Sequence, residues 1–426
     1  MFDHHSREHA ENWRAVYAEA RGSCPVVHSD NYGGYEVLTR HADVLAAATD
    51  FRRLASGRTT AADGSLEGGI GIPSRPVRIG FLEMDPPEST KYRRLINKWF
   101  TRGAIERGRS RIVEIANWAI DQIAEEGACD VIGDLASPFQ RTVLLDMLGL
   151  PLDVWHAYKS DLDEEHAAAG GSAEVKGPEV GIAKQAERAA LFAYLHDHLQ
   201  EEIVRQRRDG GPGLVADLVA AEVDGAPITQ EVATELVMML VGGGEETTVA
   251  TVASMLLHLA TAPDWRTRLR EDPSAIPVAV DEILRYYSPA SSLARTVVEP
   301  VTIDGHEFHQ GDRVLLAYSS ANYDDEVFND PGSVDLARTP NPHLSFGAGA
   351  HRCIGALLAR ANVECFVGEF LRRIPDFEIE PTTVHPAFEV VDRINTYYSM
   401  PIRFSPTVRE GSSGKVPVLL SPRIQP

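Results

Sequence analysis

The sequence predicts a mainly α-helical domain with a smaller β-rich lobe. Apolar residues recur with helical spacing over most of residues 90–262, while strand-like patterns lie near the start of the chain and after Pro289. No repeat of fixed period and no shift in composition divides the chain before about residue 405. We therefore predict one domain over residues 1–405, followed by a tail over residues 406–426 that is rich in proline, glycine and serine.

The first part of the chain has mixed character. Residues 11–21 are amphipathic and predict a helix, residues 34–39 predict a strand, and residues 41–49 predict a second helix. The segment 55–80 contains so many glycines and prolines that it predicts no regular element. Its length favours a binding loop or lid.

Helices dominate the middle of the chain. We predict them over residues 105–126 and 185–208, and in a long segment that begins near Thr229. A glycine- and alanine-rich break at residues 167–181 interrupts them and predicts a second flexible lid.

The last part combines strands with one long helix. Residues 301–308 contain a central Asp-Gly pair and predict a β-hairpin, which a strand over residues 314–318 follows. A helix is predicted over residues 356–374, ending at Pro375.

Composition excludes several classes of protein. The 426 residues are 43% hydrophobic and 24% charged, which is ordinary for a globular protein, and the net charge of −21 disfavours nucleic acid and anionic membranes as partners. The four cysteines are scattered and form no Cys-x-x-Cys pair, so they predict a reducing, cytoplasmic compartment and no structural zinc. There is no signal-like start and no run of about 20 apolar residues, so no membrane anchor is expected.

The most informative stretch is residues 346–355, Phe-Gly-Ala-Gly-Ala-His-Arg-Cys-Ile-Gly. Cys353 is expected at the N-terminus of the following helix, where free amides and the helix dipole stabilise a thiolate. Gly347 and Gly349 allow backbone conformations that turn amides toward the sulfur, and Gly355 leaves room for a flat group against the helix. Such a loop suits the axial ligand of a haem, and the alternative is a buried free thiol.

The pattern Phe-Gly-x-Gly-x-His-Arg-Cys-x-Gly, which begins at Phe346, resembles the haem-binding signature of the cytochrome P450 family. Three further segments match family motifs in the same order, so the resemblance extends over about residues 11–404. It implies the P450 fold and haem b with Cys353 as the thiolate ligand. It also implies that Phe346 and the glycines of the signature contact the cofactor.

A second matching segment is Glu282-Ile-Leu-Arg285. Glutamate and arginine three residues apart share a face of a helix, and such a pair is usually a weak, solvated ion pair. Its position before Cys353 resembles the family's Glu-x-x-Arg motif. The resemblance implies a buried pair that supports the haem loop and takes no part in the chemistry.

Three consecutive glycines, Gly242, Gly243 and Gly244, interrupt the apolar helix predicted over residues 232–259. Inside a helix they cost on the order of 2–3 kcal/mol relative to alanine. Packing alone does not require that penalty. We therefore expect a ligand to approach the helix closely at this point.

The same segment resembles the oxygen-binding kink of the family, with Gly243 and Gly244 beside the cofactor. The resemblance assigns to Thr247 the hydroxyl beside bound dioxygen and to Glu246 the acid of a proton relay. The alternatives are a Thr247 hydroxyl that bonds back to the Gly243 carbonyl and a Glu246 carboxylate that is simply solvated.

The two propionates of a haem need cationic partners. By resemblance, Arg93, Arg295 and His351 supply them. The sequence departs from the family at Ser89, where many bacterial members have a histidine that helps hold a propionate, and at Tyr323, which replaces a frequent arginine. These departures concern the propionate contacts and the loop before Cys353, not the cofactor itself.

The resemblance implies a monooxygenase that uses O₂ to hydroxylate or epoxidise a hydrophobic small molecule, such as a terpenoid, steroid or polyketide. Met239, Gly242 and Ser291 are expected to contact that substrate. The chain length leaves no room for a flavin or nicotinamide domain, so electrons are expected from a separate ferredoxin or flavodoxin and an NAD(P)H-dependent reductase. Arg352 and Arg360, near the cysteine, are candidate docking cations.

Two other functions remain open at this stage. A peroxide-driven or non-oxidative haem-thiolate enzyme has no need of the Glu246–Thr247 pair. A haem gas sensor or carrier has no need of substrate lids.

Overall fold

The structure is a computed structural model that describes residues 2–60, 66–74, 78–151, 195–386 and 395–411. Its α-helices are α1 (Arg7–Ser23), α2 (His41–Thr49), α3 (Glu88–Asn97), α4 (Arg102–Ile123), α5 (Ser137–Leu148), α6 (residues 195–209), α7 (Gly213–Val219), α8 (Gln230–Gly244), α9 (Glu246–Thr261), α10 (Pro263–Glu271), α11 (Ile276–Tyr287), α12 (Tyr318–Ala321) and α13 (Ala356–Arg373).

The strands are short. They are β1 (Val26–Ser29), β2 (Tyr35–Leu38), β3 (Leu54–Ala55), β4 (Arg58–Thr60), β5 (Leu66–Gly68), β6 (Ala128–Asp130), β7 (Glu222–Val223), β8 (Ala226–Pro227), β9 (Leu293–Val297), β10 (Val301–Ile303), β11 (His306–Phe308), β12 (Arg313–Leu316), β13 (Phe377–Ile379), β14 (His385–Pro386), β15 (Tyr397–Ser399) and β16 (Pro401–Phe404). The prediction of a mainly α-helical protein with a smaller β-rich part is confirmed.

Contacts within the chain form two compact units. The first, which we call the β unit, comprises Met1–Arg94, Pro277–Ala356 and Val390–Asn395. The second, the α unit, comprises Leu95–Ile276, Leu357–Glu389 and Thr396–Pro426. The extent of the single domain that we expect over residues 1–405 stays a prediction.

The β unit is built around a five-stranded sheet in the order β1-β2-β12-β9-β3, in which only β12 and β2 run parallel. Side chains of a strand alternate between the two faces of a sheet. Val314 and Leu316 accordingly pack with α2, whereas Leu315 packs with Tyr17 of α1. Both faces of the sheet are therefore buried.

The hairpin predicted after Pro289 is confirmed. Strands β10 and β11 pair with Val301 opposite Phe308 and Ile303 opposite His306. Asp304 and Gly305 between them have φ angles of 49° and 76°. Positive φ at both central residues is what a two-residue turn of this hand requires.

The prediction that residues 55–80 hold no regular element is wrong. Arg58 pairs with Gly68 and Thr60 with Leu66, so β4 and β5 form a small hairpin within this segment. Each strand has only three residues, and β5 ends at Gly68, which like Gly69 has a positive φ that lets the backbone turn away there.

The α unit contains the longest helices and a three-stranded antiparallel sheet in the order β13-β16-β6. Nearly every residue of α5 is buried, and its Phe139 ring lies 4.9 Å from that of Phe366 on α13. The segment that begins near Thr229 forms two helices, α8 and α9, which are separated at Glu245.

The remaining predictions on secondary structure hold where they are described. The helices predicted over residues 11–21, 41–49, 105–126 and 356–374 correspond to α1, α2, α4 and α13. Residues 195–209 are helical, but the start of the helix predicted from residue 185 and the lid predicted at 167–181 lie outside the described residues. Within the described ranges, no helix has the length and apolar character needed to cross a bilayer.

Candidate active site

Cys353 lies in a tight loop of the β unit, three residues before α13 begins at Ala356. Its backbone amide donates to the carbonyl oxygen of Phe346 at 2.8 Å, which closes the loop, and its side chain is exposed. A Cβ atom on Gly355 would lie 3.9 Å from Cys353 Sγ, so the glycine leaves the space beside the sulfur open. The loop thus presents one thiol outward near the N-terminus of a helix, where the helix dipole favours its anion.

The two loop glycines have left-handed backbones, with φ of 62° at Gly347 and 68° at Gly349. Gly349 also packs tightly, because a Cβ atom there would lie 2.7 Å from the carbonyl oxygen of Ala48 and 2.8 Å from Thr49 Cα. The end of α2 therefore supports the loop and excludes any side chain at position 349.

Glu282 and Arg285 form the buried pair that the resemblance implies. Both side chains are fully buried, and the guanidinium donates to the carboxylate through Nη2 at 2.7 Å and Nε at 2.8 Å. Arg338 and Asn341 donate to the same carboxylate. Arg285 also donates to the backbone carbonyls of Asn322, Pro331 and Ser333. The pair thus fixes the chain leading toward Cys353 and exposes no reactive group.

The three predicted propionate cations also belong to the β unit. Arg295 is only 2% exposed and donates to the carbonyl oxygen of Ala294 at 2.7 Å, while the half-buried Arg93 donates to the carbonyl oxygen of Arg352 at 2.7 Å. His351 Nε2 lies 3.1 Å from Asp85 Oδ1.

The charges around these cations do not balance. In the described part of the chain, neither Arg93 nor Arg295 has a carboxylate within ion-pair distance. Burial lowers the pKa of His351, Asp85 opposes that effect, and the positive charges of Arg295 and Arg93 lower the pKa further. A buried cation is stable only with an anionic partner. The two propionates of a haem fit this excess of positive charge.

Asp85 is a site residue that the sequence analysis missed. Its carboxylate accepts from the backbone amides of Ser56 at 3.0 Å and Gly57 at 2.8 Å in addition to facing His351. Burial raises the pKa of Asp85, but the hydrogen bonds from His351, Ser56 and Gly57 outweigh that effect and lower it overall. No local pattern signals these partners.

The two departures from the family have clear surroundings. Ser89 is buried, and its backbone amide donates to Asp85 O at 3.1 Å. Tyr323 accepts a hydrogen bond from Arg14 Nε at 2.7 Å and donates to the carbonyl of Tyr286 at 2.8 Å. A cation near Tyr323 is therefore supplied by Arg14 of α1, a residue that sequence reasoning also missed.

The glycine-rich segment of the α unit lies at the break between α8 and α9. A Cβ atom on Gly242 or Gly243 would meet nothing within 4 Å, whereas one on Gly244 would lie 2.9 Å from Leu144 Cδ2. Helix packing therefore accounts for the glycine at 244, and its contact with a cofactor stays a prediction. The open space at the other two positions is compatible with an approaching ligand.

Thr247 and Glu246 are half-buried at the start of α9. The hydroxyl of Thr247 donates to the carbonyl oxygen of Gly243 at 3.2 Å, which is the back-bonded arrangement considered as the alternative above. Their roles in proton delivery stay predictions.

The predicted substrate contacts lie in both units. Met239 is buried and Gly242 is exposed on α8, while Ser291 precedes β9 and its carbonyl accepts from the amide of Ser319 at 2.9 Å. Their contact with substrate stays a prediction.

The outward cysteine and the uncompensated cations give the β unit the donor set of a haem-thiolate protein. Comparison with known proteins agrees. A family model described as Cytochrome P450 matches residues 182–390. The chain is 30% identical to the steroid C26-monooxygenase of Mycobacterium tuberculosis, over 92% of this chain and 94% of the relative.

Two further similarities point the same way. The chain is 34% identical to nocardicin C N-oxygenase of Nocardia uniformis, over 80% of this chain and 83% of that protein. It superposes on the cytochrome P450 PksS of the Bacillus subtilis bacillaene polyketide synthase with a TM-score of 0.81 at 26% identity, covering 95% of this chain and all of that one. The chain belongs to the cytochrome P450 family and is a haem-containing monooxygenase of the bacterial type.

Proposed function

We propose that this chain hydroxylates or epoxidises a hydrophobic natural product with one atom of O₂, and that Cys353 is the sole protein ligand to the haem iron. The observation that carries the proposal is the outward Cys353 thiol in the same unit as a buried arginine, Arg295, that has no carboxylate partner among the described residues. When bound, haem supplies the reductive activation of O₂, which a thiolate ligand promotes. The chain supplies the binding groups, the protons and the substrate site.

The cations hold the cofactor in this account. Arg295, Arg93 and His351 bind the propionates through charge-assisted hydrogen bonds, which are stronger than neutral ones. Asp85 fixes the ring of His351 from the other side. Phe346, Gly347, Gly349 and Gly355 shape the loop so that the sulfur is the atom presented.

Protons are delivered from the start of α9. The Thr247 hydroxyl, which donates to the Gly243 carbonyl oxygen, would supply a proton during oxygen activation, and Glu246 would resupply it. Gly243 has no side chain, and a Cβ atom built there would meet nothing within 4 Å. The helix surface is therefore open at this point.

Two relatives support the substrate class that we propose. A steroid monooxygenase and a P450 of a polyketide synthase are among the proteins that this chain resembles. We infer an apolar substrate such as a terpenoid, steroid or polyketide, which Met239, Gly242 and Ser291 contact.

The electrons come from a separate ferredoxin or flavodoxin with its NAD(P)H-dependent reductase. The exposed Arg352 and the half-buried Arg360 are the docking cations that we propose for an acidic carrier. The four scattered cysteines, which form no Cys-x-x-Cys pair, are consistent with a reducing, cytoplasmic compartment.

A reconstituted assay tests the function. Candidate terpenoids, steroids and polyketides are first screened for a shift of the haem Soret band, and a binding compound is then incubated with NADH, a surrogate ferredoxin and its reductase. We expect product that contains one oxygen atom from labelled O₂. Product formed with hydrogen peroxide but not with NADH would favour the peroxide-driven alternative, and O₂ binding with no response to any compound would favour a gas sensor.

The Thr247→Ala variant tests the proton relay in the same assay. The substrate-induced spectral shift and NADH consumption should persist, because binding does not need the hydroxyl. Product per NADH should fall several-fold, because electrons are diverted to peroxide or water. Glu246→Gln should mainly slow turnover. Parental coupling in Thr247→Ala would contradict the role of the hydroxyl.

A further inference from the structure

Buried polar side chains from two other helices of the α unit converge on the break between α8 and α9. Gln140 Nε2 on α5 donates to the carbonyl oxygen of Gly244 at 2.8 Å, and Asn362 Nδ2 on α13 donates to Gln140 Oε1 at 2.9 Å. The neighbouring Arg141 donates through Nε to Glu245 Oε1 at 2.5 Å. Gln140 is 1% exposed and Asn362 is fully buried.

These contacts satisfy the backbone where the helix is interrupted. The amides of Thr248 and Val249 both donate to the carbonyl of Glu245, at 3.1 and 3.0 Å. The carbonyl of Gly244 instead accepts from side chains, those of Gln140 and of Thr248. Because a buried carbonyl without a donor is costly, the side chain of Gln140 stabilises the break itself rather than a regular helix.

The ion pair is not explained by stability. Both Arg141 and Glu245 are buried, and burial raises the pKa of Glu245 while Arg141 opposes that effect. Replacing such a pair with apolar side chains of similar volume is often neutral or stabilising, so its presence favours a geometric role. Glu245 directly precedes the two proposed relay residues, and its backbone carbonyl accepts from the amides of Thr248 and Val249 in the first turn of α9.

We propose that Gln140 and Arg141 are positioning residues for oxygen activation: they lock the break at residues 244 and 245 so that Glu246 and Thr247 are presented in one orientation. This inference rests on the proposed function of those two residues. Gln140 and Arg141 touch neither substrate nor cofactor in it. Asn362 orients the amide of Gln140, which ties the break to α13.

Two variants test the inference without creating a buried lone charge. Gln140→Leu removes the neutral hydrogen bonds at similar volume, and the double variant Arg141→Met with Glu245→Met removes both charges together. Thr142→Val is the matched control, because Thr142 is also buried on α5 but, among the described residues, its hydroxyl donates only to the carbonyl of Pro138 in its own helix.

Hydrogen–deuterium exchange of the haem-loaded protein measures the break directly. In both test variants we expect exchange in the peptide over residues 242–250 to accelerate about fivefold to tenfold, the scale of one lost hydrogen bond. Product per NADH should fall at least about twofold while the substrate-induced Soret shift is retained. Thr142→Val should match the parent in all three measurements.

The outcomes separate the two proposals. Faster exchange together with lower coupling supports positioning. Faster exchange with parental coupling shows a merely structural role and overturns the inference, as does unchanged exchange in both variants. Parental coupling in Thr247→Ala, measured in parallel, identifies instead a failure of the proposed relay and removes the purpose of the positioning with it.

Discussion

Arg295 shows how a single residue can indicate a cofactor. A guanidinium that is 2% exposed and lacks a carboxylate partner in the described ranges is unfavourable unless an anion binds it. Arg93 is half-buried and also lacks a carboxylate partner among the described residues. The positive charges of Arg295 and Arg93 lower the pKa of His351. The three residues come from α3, β9 and the cysteine loop, so their convergence follows from the fold and not from any one motif.

At this scale we predict that Arg93→Ala lowers haem occupancy more than Ser89→Ala. Losing a charge-assisted bond costs about 1.5–3 kcal/mol, which corresponds to roughly tenfold to hundredfold in haem affinity. Arg94→Ala is the control, because Arg94 is exposed on the same helix. The ratio of haem to protein after purification checks the prediction. Equal occupancy in Arg93→Ala and Ser89→Ala would remove Arg93 from the haem site.

The loop that carries Cys353 depends on its contact with the end of α2. Both loop glycines have positive φ, but only Gly349 is in close contact with backbone atoms of α2. The nearest atom to a Cβ on Gly347 would be Tyr318 Oη at 3.5 Å, an ordinary contact. A side chain at position 347 would therefore strain only the backbone, whereas one at position 349 would also clash with α2.

We predict that Gly349→Ala destabilises the protein more than Gly347→Ala. Both substitutions place alanine in a left-handed conformation, which lowers the free energy of unfolding by about 1–2 kcal/mol. Only Gly349→Ala also forces α2 and the loop apart, which lowers it by about 1–3 kcal/mol more. Urea unfolding of both variants measures the difference. Indistinguishable midpoints would show that α2 does not support the loop as described.

In the whole molecule, the described residues that follow the predicted boundary at residue 405 contact the α unit. In the α unit, Asp121 on α4 accepts from the backbone amides of Glu410 at 3.0 Å and Gly411 at 2.9 Å, as well as from Arg373. Thr407 donates to the carbonyl of Ala124 at 2.7 Å. The first six residues of the predicted tail are thus bound to α4 and α13, and the rest lie outside the described residues.

We predict that a chain ending at residue 411 keeps the parental melting temperature, whereas one ending at residue 405 melts about 2–4 °C lower, as the loss of a few kcal/mol implies. Burial raises the pKa of Asp121, but bonds from Glu410, Arg373 and Gly411 outweigh it and lower the pKa overall. This stabilisation is present above the ordinary aspartate pKa of about 3.9 and is lost as pH falls below it. Calorimetry of the two truncated chains checks these predictions: the difference in their melting temperatures should be present at pH 7 and smaller at pH 3. Equal melting temperatures at pH 7 would contradict the stabilising role of residues 406–411.

The sequence predicted what depends on short stretches of chain. The hairpin at Asp304-Gly305, the helix after Cys353 and the buried Glu282–Arg285 pair follow from residues close together or from a specific motif. The partners of Gln140 and Arg141 lie more than a hundred residues away, so no local pattern signals them. Glycine content alone does not predict the β4–β5 hairpin, because the hairpin depends on the pairing of Arg58 with Gly68 and of Thr60 with Leu66.

The spectrum of the reduced protein with CO shows whether Cys353 ligates the haem iron. Cys353→Ala should lose the strongly red-shifted Soret band that marks the CO complex of a thiolate-ligated haem. Cys365→Ala is the control and should keep the band. Cys365 is buried, and burial raises the pKa of its thiol to about 11, so it presents no exposed thiolate to the iron. A red-shifted band that survives in Cys353→Ala would contradict the account.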